Sequence, residues 1–361
     1  MSSMFITIIS FIIIFTVVVV AHEFGHFLIA RQNGIKVNEF AIGMGPVIFK
    51  KMIRGTRFVI RLLPIGGACM FEGEDGKYEG EEEDKETPEI AKEGSFNSAP
   101  VWGRIATVLA GPIFNILLAY VLSLFLCWFC GSDIPIVRDI TEGYPAEAAG
   151  MQAGDLIIQI DHQKIHIWRE ISVLSYISDG SPIAVTYERD GQQYETMITP
   201  VYSAEADRFY YGFIGSGQFI DCNNISVFKY SWYEVRYWLL STVQSLGYMI
   251  QGRASAEDIA GPVGVATVIE DTVEQTVDEG AFTVILNMVN IAVLLSVNLG
   301  VLNLLPVPAL DGGRLVFLLI EAVRGKRVPP EKEGLVHMVG FVLLMLLMVF
   351  VLYNDIMRII G

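Results

Sequence analysis

The chain has 361 residues, of which 52% are hydrophobic and 18% charged, with a formal charge of −15. A mean hydropathy of +0.47 argues against an ordinary soluble domain and for a polytopic α-helical membrane protein whose medium is the lipid bilayer. The acidic balance gives no footing for a nucleic-acid partner, and four cysteines are too few for a disulfide framework.

The first apolar run, Met4 to Ile29, is long enough to cross a bilayer as one helix and sets off residues 1–31 as a unit. It is read as a retained span and not a leader, because Met1-Ser2-Ser3 carries no basic residue and the run is too long. Inside it stands Ala21-His22-Glu23-Phe24-Gly25-His26. Ionisable groups at such depth are expensive and mark function. His22 and His26, at i and i+4, leave one helix face. This H-E-x-x-H pattern offers two neutral nitrogens to Zn²⁺ and places the Glu23 carboxylate where it can take a proton from water.

Residues 32–71 read as a basic, cytoplasmic β-hairpin region. Its strands, 47–52 and 57–63, flank a turn at 53–56, with Gly43, Gly45 and Pro46 before them and Pro64, Gly66 and Gly67 after. Such an edge either accepts an extended substrate by strand addition or is a plain surface hairpin. Residues 72–103 hold an acidic insertion, 72–93, read as solvated, and a linker. The second span, 104–131, contains Gly111, Pro112 and Asn115, which suit close helix approach and altered backbone bonding. Cys127 and Cys130 within it read as small packing residues.

Strand patterns come next at 136–140, 156–160, 183–187 and 194–198, with a hairpin turn at 189–192 and a glycine-bracketed helix between the first two. The 132–203 segment resembles the circularly permuted PDZ module of bacterial membrane and periplasmic proteases. That resemblance implies a small β-sandwich taking a peptide or a substrate ectodomain. His162 and His166 are spaced like a metal pair but lack an acidic partner motif and read as exposed histidines. In 204–280, the aromatic apolar stripe of 226–251 predicts a helix lying along the membrane interface or packed on its own domain. Gly261-Pro262-Val263-Gly264 is expected to break the chain ahead of the third span.

The third span, 281–313, ends in Asn303-Leu304-Leu305-Pro306-Val307-Pro308-Ala309-Leu310-Asp311-Gly312-Gly313, where proline and glycine are expected to prevent a regular helix. A loop, 314–336, and a fourth span, 337–361, complete the chain. Clusters of Lys and Arg after the first span and between the third and fourth place those two loops in the cytoplasm. Residues 132–280 and both termini then lie outside; 132–280 carries 8 Lys and Arg against 22 Asp and Glu, a net −14 of the −15. The histidine motif begins roughly 27 Å into its helix at 1.5 Å per residue, close to the cytoplasmic face, where the third span also delivers Asp311. A carboxylate suits the third zinc ligand, with a fourth position open to water.

With those residues assembled, the chain resembles the site-2 protease family, the intramembrane zinc metalloproteases of regulated intramembrane proteolysis. The resemblance rests on His22-Glu23-Phe24-Gly25-His26, on Gly111-Pro112 with Asn115, and on Asn303 through Gly313; Arg314 stands where many members have His. The single PDZ-like module fits the bacterial branch and implies the cytoplasmic membrane of a bacterium. The resemblance implies His22, His26 and Asp311 as Zn²⁺ ligands and Glu23 as general base and proton donor. Asn303, Asn115, Pro306 and Pro308 are candidates for holding the substrate backbone or an oxyanion. The implied substrates are single-span membrane proteins, such as a pre-trimmed anti-sigma factor or a remnant signal peptide. Two other classes stay open: a zinc transporter or channel, and a non-catalytic scaffold built on the PDZ-like module.

Overall fold

The computed structural model describes residues 3–73, 93–203, 208–253 and 261–360. The acidic insertion expected over 72–93 lies, but for its ends, outside the described residues. The chain opens with α1 (Ser3–Gln32), β1 (Val37–Ile53), β2 (Thr56–Phe71) and α2 (Val101–Cys130). Short strands β3 (Ser132–Asp133) and β4 (Val137–Ile140) lead to α3 (Pro145–Ala148), β5 (Leu156–Ile160), β6 (Gln163–Lys164) and α4 (Trp168–Ile177). Then come β7 (Ile183–Arg189), β8 (Gln192–Ile198), β9 (Val201–Ser203), β10 (Arg208–Tyr210), β11 (Phe213–Gly215) and β12 (Phe219–Ile220). Helices α5 (Ser226–Ile250), α6 (Pro262–Thr276), α7 (Ala281–Leu304), α8 (Asp311–Arg324) and α9 (Pro330–Ile360) complete the order. They form two compact units, 1–119 with 255–361, and 120–254.

Four of the described helices, α1, α2, α7 and α9, are long and apolar enough to cross a membrane. In the first unit, α1 buries one stripe, Ile14, Val18, His22, Gly25, His26 and Ala30, at helical spacing. Ile8, Ile9, Ile12 and Ile13 remain exposed, as a lipid-facing surface requires. Glycine lets α2 come close: a Cβ on Gly25 would strike the Ala110 carbonyl and lie 2.9 Å from Phe114 Cβ. On its far side α2 meets α7, where a Cβ on Gly300 would lie 3.0 Å from the Pro112 carbonyl and Ser296 Oγ donates to the Asn115 carbonyl at 2.7 Å. Buried Arg104 at the start of α2 grips Glu321 of α8 through two bonds of 3.0 and 2.5 Å.

The hairpin is longer than its sequence pattern suggests. Strands β1 and β2 run through the glycines and prolines expected to bound them and turn at Arg54 and Gly55, both at positive φ. Register shifts absorb the interruptions, so residues 39–42 partner both 67–70 and 57–60, and 57–60 also partner 49–52. Nor do Gly261 to Gly264 break the chain; Pro262 opens α6, its fixed φ suited to a first turn. Gly261 has no side chain to cap that helix. Buried Asp355 of α9 supplies the cap, accepting from Gly261 N at 3.2 Å and Gly264 N at 2.8 Å. The third span likewise divides: α7 stops at Leu304, and Gly312 and Gly313, expected in irregular chain, lie in the first turn of α8.

The second unit carries the four-stranded sheet β6-β5-β7-β8. Asp190 and Gly191, at φ 52 and 75, make the two-residue turn joining β7 to β8. Val137, Ile157, Val185 and Ile198 form the centre of its core. β11 pairs with β4 and β12 with β3, so the module extends past residue 203, where the strand pattern alone ends it. Helix α4, which the pattern missed, is tied to α5 by ion pairs of Arg169 with Glu234 and Arg236 with Glu170. Helix α5 therefore packs on its own domain.

Candidate active site

One turn of α1 presents His22 and His26 side by side, and α8 begins with Asp311 facing them. The His22 Nε2 to Asp311 Oδ2 distance is 3.1 Å, His26 Nε2 to the same oxygen is 3.3 Å, and the two Nε2 atoms are 3.2 Å apart. Among the described residues this is the one cluster of His, Cys, Asp and Glu suited to a metal ion. Ligands at 2.0–2.1 Å in a tetrahedral zinc site stand ~3.3 Å from one another, so the triangle has the edge length that such a site requires. Asp311 Oδ2 is buried with no hydrogen-bond partner. A buried acceptor left unmet costs about 1–3 kcal/mol; a cation at the centre removes that cost.

The groups behind the rings select the required tautomer. His26 Nδ1 lies 2.8 Å from the Thr107 carbonyl, which can only accept. That bond places the proton on Nδ1 and leaves Nε2 a lone pair for the metal. His22 Nδ1 lies 3.4 Å from the Asn115 amide nitrogen, while Asn115 Oδ1 is buried without a partner. Turning that amide over, a choice set by the hydrogen-bond network, brings Oδ1 onto His22 Nδ1–H. The orphan is then satisfied and His22 Nε2 also becomes a lone pair. Asn115, fully buried, faces the His22 imidazole. Gly111 is what allows α2 this near, since a Cβ there would collide with both histidine rings.

Glu23 is half-buried beside β2. A Cβ on Gly67 would come within 2.8 Å of Glu23 Cγ, and the Cys69 amide is a hydrogen-bond partner of the carboxylate. The hairpin therefore runs beside Glu23 at 67–69, after the strands marked out in the sequence. Asp311 is held by its own loop: a Cβ on Gly312 would strike the Leu304 and Leu305 carbonyls, and one on Gly313 would strike that of Val307. As the first residue of α8 it also sits where the helix dipole favours a carboxylate. Asn303 is half-buried in the last turn of α7, on a different helix from Asp311. Pro306 is exposed, and Pro308 lies under Gly340 of α9. Arg314 stacks over the Phe96 ring at 4.6 Å.

The other motifs contribute no residue to this cluster. His162 is exposed, and His166 stacks on Tyr233 at 4.0 Å. Cys127 is buried against Cys222 and Val227. Sequence reading had no hold on the Thr107 carbonyl or the histidine side of Asn115, because a backbone carbonyl has no residue signature and an asparagine has many uses.

Known proteins resemble this chain along nearly its whole length. Zinc metalloprotease RasP of Shouchella clausii is 33% identical over 98% of this chain and 99% of its own length. Regulator of sigma-W protease RasP of Bacillus subtilis is 32% identical over 98% of each chain. A solved PDZ domain of an SdrC-like protein from Listeria monocytogenes is similar over 24% of this chain and 88% of that one, at 17% identity and a TM-score of 0.22. The description "Peptidase family M50" matches residues 10–347. The chain belongs to peptidase family M50, the site-2 family of zinc metalloproteases.

Proposed function

We propose that the protein hydrolyses a peptide bond within or beside the transmembrane segment of a single-span membrane protein. The observation that carries this reading is the 3.1–3.3 Å triangle of His22, His26 and Asp311, with Glu23 next to its first corner on a helix of membrane-spanning length. Zinc, when held by those three residues, supplies the Lewis acidity that makes water nucleophilic near neutral pH. The chain's own residues then move protons and place the substrate. Glu23 accepts a proton at its carboxylate as water attacks and returns it to the departing amide nitrogen. Thr107 and Asn115 hold the two imidazoles neutral and aimed. Asn303 is the candidate donor to the developing oxyanion.

A transmembrane helix must unwind before its backbone can reach Glu23, and its freed N–H and C=O groups then need partners. The sheet that passes Glu23 at 67–69 offers them by strand addition. On this reading, which the distribution of Lys and Arg supports, the centre lies near the cytoplasmic face and the PDZ-like module outside, where it engages the ectodomain of a trimmed substrate. The name of the Bacillus subtilis relative suggests an anti-sigma factor as one such substrate. A transporter would need further ligands along a path, and a scaffold has no use for Glu23.

The test uses the purified full chain in lipid with zinc and a model single-span substrate. Glu23→Gln is expected to lower cleavage by a factor on the order of 10²–10⁴, the usual worth of a general base, with zinc content unchanged. Asp311→Ala is expected to lose zinc. Undiminished cleavage by Glu23→Gln would end the proposal.

A further inference from the structure

Asp311 is reached through a loop, 305–310, whose shape depends on a residue outside the zinc motifs. Five non-glycine residues among those described have positive φ: Arg54, Asp161, Asp190, Asn224 and Ala309. Ala309, at φ 73, is the one whose side chain can make no hydrogen bond. Asn and Asp visit this region because they can bond locally; alanine has only the steric penalty. Something else must hold Ala309 there, two residues before Asp311.

The Ala309 N–H donates to Nδ1 of His337 on α9 at 2.9 Å. That bond requires the lone pair on Nδ1 and the proton on Nε2. The ring is steadied by Phe317 of α8, with centroids 5.6 Å apart. One turn further along α9, Gly340 lies so close that an added Cβ would be 2.7 Å from the Pro308 carbonyl oxygen. The same helix thus touches Pro308 and Ala309 together. On its other side the loop is blocked by Gly312 and Gly313, packed on the carbonyls of 304, 305 and 307. Confined from both sides, the loop delivers Asp311 to one place.

We propose that His337 is a positioning residue for the metal centre: by accepting the Ala309 N–H it holds the loop that sets Asp311 against His22 and His26. This rests on the reading of Asp311 as a zinc ligand. It assigns α9 a part in metal retention as well as in spanning the membrane. It also explains why a left-handed alanine is tolerated where glycine would be the easier choice.

The test compares His337→Asn with His337→Gln in the full chain, reading zinc release to a chelator together with kcat and KM for a single-span substrate. Asn brings its Oδ1 near the position of Nδ1; Gln carries its amide one bond too far. We expect His337→Gln to release zinc about 10-fold faster, within the 10–100-fold range seen when groups behind a ligand are lost, and to lower kcat with KM unchanged. His337→Asn is expected to stay within about 2-fold of wild type, a rescue that loss of packing alone would not produce. Ala309→Gly added to His337→Gln is expected to recover part of the loss, because glycine holds positive φ unaided. Equal zinc retention by His337→Gln and wild type, or equal damage by Gln and Asn, overturns the proposal. Asp311→Ala separates the two readings. If it keeps zinc, the ligand reading fails; if it loses zinc while His337→Gln does not, only the positioning role fails.

Discussion

Gly111→Ala changes one hydrogen for a methyl group and is expected to disable the centre. The new Cβ would lie 2.6 Å from His26 Cε1 and 2.9 Å from His22 Cε1, against an ordinary contact of 3.4–4 Å. Relief therefore needs a movement of ~1 Å at van der Waals limits. Helix α2 cannot supply it by backing away, because the Pro112 carbonyl already stands against Gly300 of α7. The imidazoles must turn instead, and a triangle with edges of 3.1–3.3 Å opens. Overpacking of this kind costs about 1–3 kcal/mol, and a 1 Å misplacement of reacting groups lowers rate by about 10²-fold. The assay is zinc stoichiometry by elemental analysis together with turnover of a single-span substrate in lipid. Gly334→Ala on α9, where nothing stands within 4 Å, is the control and should leave both unchanged. A Gly111→Ala protein with full zinc and turnover within about threefold of wild type would refute the idea that α2 presses on the His22 and His26 rings.

Two further outcomes test the frame around the site. Arg104→Met leaves Glu321 without its buried partner and is expected to cost about 3–5 kcal/mol; adding Glu321→Leu should restore most of the lost thermal midpoint. If the double variant is no more stable than the single one, the pair is not what joins α2 to α8. In the second unit, burial, with Arg236, Lys229 and Lys164 nearby, holds the His166 imidazole below its ordinary pKa of 6.5. The folded state then binds fewer protons than the unfolded chain as pH falls through that value. Stability at His166 is therefore full above pH 6.5, declines on acidification and levels off below the folded value. His166→Phe keeps a ring against Tyr233 and should flatten that part of the thermal midpoint's pH profile; an unchanged slope would remove His166 as its source.

The His22, His26 and Asp311 cluster was legible because its geometry is written in local spacing. Two histidines four apart on a helix share a face whatever else the chain does. An acid bracketed by Pro306, Pro308 and two glycines announces a special backbone, although the glycines proved to serve tight packing of α8 and not a broken helix. The strands from β4 to β8 were readable from alternation and from the Asp190-Gly191 turn. Other features were hidden for one physical reason: their partners come from elsewhere in the chain. The register of residues 39–42 between two stretches of β2, the Asp355 cap on α6 and the His337 bond to Ala309 all join segments that no window of sequence contains. Helix α4, short and begun by Trp168 without a polar cap of its own, lacked a starting signal because Glu170 supplies the bonds from inside the helix, accepting from His166 N at 2.6 Å.

What sets this centre apart from a polar defect in a membrane helix is the direction of its lone pairs. The carbonyl of Thr107 can only accept, so one proton of His26 must point away from Asp311. The orphaned Oδ1 of Asn115 asks for the same on His22. Two lone-pair nitrogens and a carboxylate oxygen then face one another with no hydrogen among them. Such an arrangement is repulsive by itself and would be relieved by turning either ring. Gly111 and Gly25 oppose the turn by letting α2 close on the Nε2–Cε1 edges of the rings and on the helix that bears them. Helices α2, α7 and α8 thus hold in place an acceptor set that only a cation can make favourable.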